Sequence, residues 1–311
     1  HTYGAEADRA VREARERIAS AINARDEEII FTSGATESDN LAIRGAMEYA
    51  TEQGHGNHLI TAATEHEAVL ELAETLETEG FEVTVLPVDE NGFVDPDKVI
   101  DAIKDETVLL SVMAANNEIG TIAPLEDLGK ITTQNQVLFH TDAVQALGYT
   151  ELNVEELEIE LMSLSGHKLY GPKGVGALYI RRRRPKVKLK PLVKGGGHER
   201  GWRSGTLNVP GIVGMGKAVE LAHGEQTDRI AHVRELRDHM WERIEDEVKD
   251  TTLNGPPVED DRLPNNLNVS FHSVENKALV RKIKDNISVS AGSACTTGSV
   301  EASHVRRDSA E

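Results

Sequence analysis

The chain has 311 residues, 39% hydrophobic and 28% charged, with 53 acidic against 34 basic side chains and a net charge of −19. That length suits about two domains, and the acidic surface repels phosphate, which argues against general nucleic-acid or anionic-membrane binding. No apolar run approaches the roughly 20 residues of a membrane span, and a single cysteine excludes an internal disulfide framework and points to a reducing, cytoplasmic setting.

Residues 5–22 place Val11, Ala14, Ile18 and Ile22 at helical spacing among charges, which predicts an amphipathic helix. EIIFT (28–32) reads as a buried strand, followed by the turn SGATESDN and the helical LAIRGAMEYA. HLITA (58–62) is the next strand, then a helix over 66–79 and the strand EVTVL (82–86). A helix near 95–104 precedes the strand VLLSVMA (108–114), and PLEDLGKITTQ (124–134) reads as a helix with Pro124 in its first turn. VLFHT (137–141), ELMSL (160–164) and VGALYI (175–180) are further strands, and the run Arg181–Arg184 reads as a solvated strand end. KGGGHERGWRSGT (194–206) is too rich in glycine and charge for a core element and reads as an exposed loop at a subunit contact. Long helices over 211–249, the strand NLNVSF (266–271), a helix near 275–285 and the strand NISVS (286–290) complete the pattern. Strands alternating with helices predict an α/β fold. A large, doubly wound, mainly parallel sheet domain (1–222) would be followed by a smaller α+β domain (223–311).

In open α/β sheets ligands sit beyond the carboxyl ends of the strands, and the unusual residues of this chain fall there. IIFTSGATESDN is a strand, a turn with Gly34 and a helix start. Free N–H groups and the dipole at such a start make an anion site, to which Thr36 adds a hydroxyl; Thr36 with Asp39 equally resembles a plain capping box. In VLFHTDAVQ, Asp142 lies just past a strand end and Gln145 a turn later, so the carboxylate suits either a protonated ring nitrogen or a simple helix cap. LMSLSGHKLYGPKG sets Lys168 after a strand, among Ser165, Gly166, His167 and Gly171. Small neighbours leave room around an amine that can condense with a carbonyl, against the plainer reading of one more surface lysine. His66 in ATEHEAV and Asn117 in AANNEIG also follow strands, and singly each suits a structural role. The histidines show no metal-ligand spacing and one cysteine cannot build a thiolate zinc site, so no metal is expected. The lone thiol, Cys295, stands in SAGSACTTGSVEASHV (290–305), a run of small residues unlike the interiors in which buried cysteines usually pack.

SGATESDNLAI, TEHEAV, NNEIG, HTDAVQ and SGHKLYGPKGVGALY, followed by HERGWRSGT and GSACTTGS, occur in this order. Together they resemble the cysteine desulfurases, pyridoxal-phosphate enzymes of the class V aminotransferase group, from Tyr3 to Val305. GSACTTGS resembles the branch with a long mobile cysteine loop, which serves general iron–sulfur cluster assembly and tRNA thiolation. The resemblance implies the type I fold of pyridoxal-phosphate-dependent transferases, with the smaller domain incomplete here. It implies that Lys168 binds pyridoxal 5'-phosphate covalently. Asp142 would keep the pyridine nitrogen protonated, which makes the ring an electron sink. Gln145 would bond the phenolic oxygen, His66 would stack on the ring and assist proton transfer, and Asn117 would contact cofactor or substrate. Ala35, Thr36, Ser165 and His167 would hold the phosphate, and Thr206 would reach the phosphate of the neighbouring subunit in a homodimer.

The chemistry implied is removal of the Cα proton of L-cysteine by Lys168 and attack of the Cys295 thiolate on the substrate sulfur, leaving a persulfide and alanine. A thiol of pKa about 8.5 is only a few per cent ionised at neutral pH, so local activation is expected. Gly292 and Gly298 would let the loop swing to a sulfur acceptor, an iron–sulfur scaffold or a tRNA-thiolating enzyme. Members of the family carry further segments before and after this stretch, including an arginine for the substrate carboxylate that maps onto no residue here, so both ends are expected to be cut. Selenocysteine lyase, another class V lyase, and a non-catalytic fragment or sulfur-relay protein are the alternative readings.

Overall fold

A computed structural model describes residues 2–184, 186–290 and 305. Helix α1 (Thr2–Ala21) buries Val11, Ala14 and Ile18, which recur at three- and four-residue spacing on one face. Seven strands then build one sheet: β1 (Ile29–Thr32), β2 (His58–Ala62), β3 (Glu82–Leu86), β4 (Thr107–Ser111), β5 (Leu138–Asp142), β6 (Leu161–Ser165) and β7 (Gly176–Ile180). Helices α2 (Ala35–Gln53), α3 (Glu67–Thr78), α4 (Pro96–Ala102) and α5 (Leu125–Asn135) connect the first five. The strand order is β1-β7-β6-β5-β4-β2-β3. The five strands from β2 to β6 pair in parallel, and β7 is antiparallel to both of its neighbours. Two reversals restore direction, so β1 runs with the parallel set. The carboxyl ends of six strands therefore share one edge, where β7 begins at Gly176, opposite Thr32 and Ser165.

Successive side chains of a strand point to opposite faces, and each face has its own cover. Ile29, Phe31, Ile60, Leu110, Phe139, Met162, Leu164 and Tyr179 pack against α1, α5 and α6 (Val209–Gly224). Ile30, Leu59, Leu109, Leu161, Leu178 and Ile180 pack against Leu41, Ala46 and Met47 of α2 and Val69, Leu72 and Leu76 of α3. Burial on both faces is why these strands read as unbroken apolar runs. α1 and α6 touch at Gly216, where a Cβ would lie 2.7 Å from the Ala14 backbone, so the pair packs closely only because that position is bare.

Beyond α6 come α7 (Gln226–Glu247), the antiparallel pair β8 (Thr251–Leu253) and β9 (Val269–Phe271), and α8 (Asn276–Ile283). Several element ends depart from the hydropathy pattern. β4 stops at Ser111 although the apolar run continues to Ala114, because the Met113 N–H is taken by the buried Glu65 carboxyl. Pro124 stands before α5 as its cap rather than within its first turn. NLNVSF narrows to Val269–Phe271, since Asn266 and Asn268 donate their side-chain amides to the Glu118 carbonyl. NISVS forms no strand: the Asn286 and Ile287 N–H groups close the turn after α8 on the Ile283 carbonyl, and Ile287 and Val289 are exposed. Among the described residues no helix is long and apolar enough to cross a membrane.

Candidate active site

The carboxyl edge of the sheet gathers the candidate residues. α2 starts one residue after Gly34, so Ala35 and Thr36 present first-turn N–H groups there. Gly34 is the cap, Thr36 is exposed and Asp39 is fully buried, so the capping-box reading of Thr36 and Asp39 does not hold. The turn lies directly on β7: a Cβ on Gly176 would sit 2.7 Å from Gly34 Cα. Glu37 ties the turn down, accepting from the Ser33 N–H at 2.9 Å and from Arg203 Nε at 2.8 Å. Burial raises the Glu37 pKa, but the hydrogen bonds from Arg203 and Ser33 outweigh it and hold the group below its ordinary value.

Asp142 ends β5, and its Oδ1 accepts the Val144 N–H at 2.9 Å, a local Asx turn rather than a helix cap. Burial holds its pKa above the ordinary value, a rise that the Val144 N–H and the charges of His66 and Lys168 reduce but do not cancel. His66 caps α3, with Nδ1 accepting the Ala68 N–H at 3.1 Å, so in the neutral ring Nε2 carries the proton. After β6 the chain makes the short turn His167–Leu169, where Lys168 is exposed and Ser165 Oγ lies 2.8 Å from His167 Nδ1. Burial lowers the His167 pKa, with help from Lys168 and Lys173.

The structure thus sets Ala35, Thr36, His66, Asp142, Ser165, His167 and Lys168 along one edge. Gln145 is half-buried one turn after Asp142. Asn117 is half-buried in a turn held by its neighbour Asn116, which donates to the Thr64 carbonyl at 3.0 Å and accepts the Glu118 and Ile119 N–H groups. Nothing in the sequence separated the structural Asn116 from Asn117. Thr206 is exposed, in the segment that Arg203 fastens to Glu37. That segment is not wholly exposed as expected: Glu199 is buried in a bidentate pair with Arg15, and Ser204 is buried too. Arg181 and Arg183 lie at the opposite edge of the sheet, paired with Glu155 at 3.4 and 3.1 Å. They are the partly covered end of β7, with acids as partners. Cys295, Gly292 and Gly298 lie outside the described residues. Among the described residues no cluster of His, Cys, Asp and Glu has the arrangement of a metal site.

The model of the class-V aminotransferase family matches residues 1–309. A cysteine desulfurase IscS of Dictyoglomus turgidum is 50% identical over 307 residues, covering 98% of this chain and 76% of the relative. One from Neisseria meningitidis is also 50% identical, covering 99% of this chain and 74% of its own length. Among solved structures, a NifS-like protein superposes with a TM-score of 0.90 at 37% identity, covering 100% of this chain and 80% of that one. DndA from Streptomyces lividans gives 0.87 at 36%, covering 100% and 86%. SspA in complex with cysteine gives 0.83 at 37%, covering 99% and 84%. The chain belongs to the class-V aminotransferase family and, within it, to the cysteine desulfurases.

Proposed function

We propose that this desulfurase works on L-cysteine with pyridoxal 5'-phosphate and passes the sulfur to Cys295 as a persulfide. The observation that carries the reading is the buried Asp142 carboxyl at the end of β5, on the sheet edge that also carries His66 and Lys168. A carboxyl so placed suits a protonated ring nitrogen, while the Gly34 turn, open where a Gly34 side chain would stand and lying on Gly176, suits a phosphate. The residues present therefore fit the cofactor. Lys168 would hold it, Asp142 its nitrogen, Gln145 its phenolic oxygen, and Ala35, Thr36, Ser165 and His167 its phosphate. His66 would cover the ring, and Asn117 would contact cofactor or substrate. When bound, the group supplies an electron sink for charge developing at the substrate Cα.

The chain's own residues do the rest. The Lys168 amine would take the Cα proton, and His66 would assist proton transfer through its Nε2–H. The Cys295 thiolate forms an S–S bond to the substrate sulfur as the Cβ–S bond breaks; that electron pair goes to the carbon skeleton, which is protonated to alanine. Thr206, exposed on its fastened loop, would complete the phosphate site of a second copy in a homodimer. The persulfide then passes to a protein acceptor, an iron–sulfur scaffold or a tRNA-thiolating enzyme, in the cytoplasm. Residues 1–222 would form the cofactor-binding domain and 223–311 the smaller domain bearing the cysteine. The test is incubation with pyridoxal phosphate, L-cysteine and reductant, with alanine and sulfide measured. Cys295→Ser should keep the visible absorbance of the bound cofactor and lose sulfide release, and Lys168→Ala should lose both. Full turnover by Cys295→Ser defeats the persulfide route.

A further inference from the structure

The α2 side of the sheet turns polar just before its carboxyl edge. Ser111 on β4, His140 on β5 and Ser163 on β6 stand there with Asp39 of α2 over them, all four at 0% exposure. His140 Nδ1 lies 2.8 Å from Ser111 Oγ, and its Nε2 lies 3.0 Å from Ser163 Oγ and 3.7 Å from Asp39 Oδ1. Asp142 is two residues beyond His140, on the same face, and pairs in register with Ser163. Glu65, fully buried in the loop after β2, accepts the Met113 N–H at 2.6 Å.

Three carboxyls thus gather at one buried corner. The basic groups that act there, Lys168 and the His66 imidazole, act on Asp142. Asp39 faces Asp142, Glu65, Ser163 and His140, and among the described residues no lysine or arginine acts on it. Three like charges sharing a low-dielectric corner cannot all ionise, and Asp142 is the one of the three on which positive groups act. Burial, then the charge of Asp142, pushes Asp39 well up, and burial does the same to Glu65. Burial also pushes His140 down to about 3, so its ring is neutral and each nitrogen is met by a hydroxyl.

We propose that Asp39 is a positioning residue that works uncharged: with neutral His140 and Ser163 it forms a polar shelf beneath Asp142, leaving Asp142 the anion of the corner. Both Asp39 oxygens are buried with no hydrogen-bond partner within reach among the described residues; an ionised Asp39 would raise the energy of the Asp142 charge, and a neutral one leaves that charge facing the site. The proposal rests on the reading of Asp142 as the partner of the ring nitrogen.

Two measurements test it. Difference infrared spectra of wild type against Asp39→Asn at neutral pH, with and without pyridoxal phosphate, should show loss of a protonated-carboxyl C=O band. Loss of a carboxylate band instead overturns the proposal. In pyridoxal-phosphate titrations, Asp39→Asn should bind within about twofold of wild type. Asp39→Leu, equally uncharged but with no polar group beside His140 and Ser163, should bind about twofold to tenfold more weakly. Wild-type affinity in Asp39→Leu, or an equal loss in both variants, overturns the positioning role. Asp142→Asn binding as tightly as wild type defeats the underlying reading of Asp142, and is told apart because the infrared band reports the charge of Asp39 without any cofactor.

Discussion

Glu199→Gln should destabilise this protein severely while leaving its composition almost unchanged. Glu199 and Arg15 are 3% and 8% exposed at their side chains and meet in a two-pronged pair at 2.7 and 2.9 Å. Glu199 also takes the Phe31 N–H of β1 at 2.7 Å, and Arg15 donates to the Ile29 carbonyl and lies 4.6 Å over the Phe31 ring. One pair thereby joins α1, β1 and the loop that carries Arg203 and Thr206. It also holds Glu199 and Arg200 at φ of 46° and 57°, a left-handed conformation that side chains disfavour. Removing one charge leaves the other buried without a counter-ion, at a cost of about 3–5 kcal/mol. Unfolding entropy near 2.1 cal/mol/K per residue over 311 residues turns that into a Tm loss of roughly 5–8 °C. Thermal and urea unfolding followed by circular dichroism would measure it, with Arg243→Gln, in an exposed pair one helical turn from Glu247, as a control that should show no change. Arg15→Met combined with Glu199→Gln should recover part of the loss by removing the stranded cation. A loss below about 1 kcal/mol, or no recovery in the double variant, refutes the reasoning.

Gly176→Ala would press a Cβ to 2.7 Å from Gly34 Cα, the Gly34 carbonyl carbon and the Leu164 oxygen, all backbone atoms that must shift. It should cost about 1–3 kcal/mol and weaken pyridoxal-phosphate binding together; wild-type affinity in a titration would remove Gly176 from the phosphate cradle. His140 titrates near 6.5 in the unfolded chain and at about 3 when folded, because burial excludes its charge. Between those values the unfolded chain binds a proton that the folded one does not, so stability falls as pH falls, by up to about 1.4 kcal/mol per unit. Urea midpoints at several pH values should show a flatter acid limb in His140→Gln, and an unchanged slope would contradict the assignment.

Much of the fold was legible because a strand covered on both faces has to be a short apolar run, as HLITA and VGALYI are. The same logic misled at NISVS, where alternation found no surface to bury against. The chemistry of the site was legible wherever the chain itself sets a residue near a strand end: Asp142 closes β5, His66 ends the loop after β2 as the cap of α3, and Lys168 lies in the short turn after β6. Asp39 was misread because it stands three residues from Thr36, a spacing that suits a cap, while its side chain points into the sheet. His140 and Glu199 gave no local signal at all. Their roles exist only against Asp39 and Arg15, residues far away along the chain. The sequence by itself determined the order of elements, the faces they bury and the residue types at the strand ends, since these follow from short-range hydropathy and turn chemistry. Only the tertiary structure decided which charges share a buried corner and which find a counter-ion, because the cost of a charge depends on what surrounds it in space.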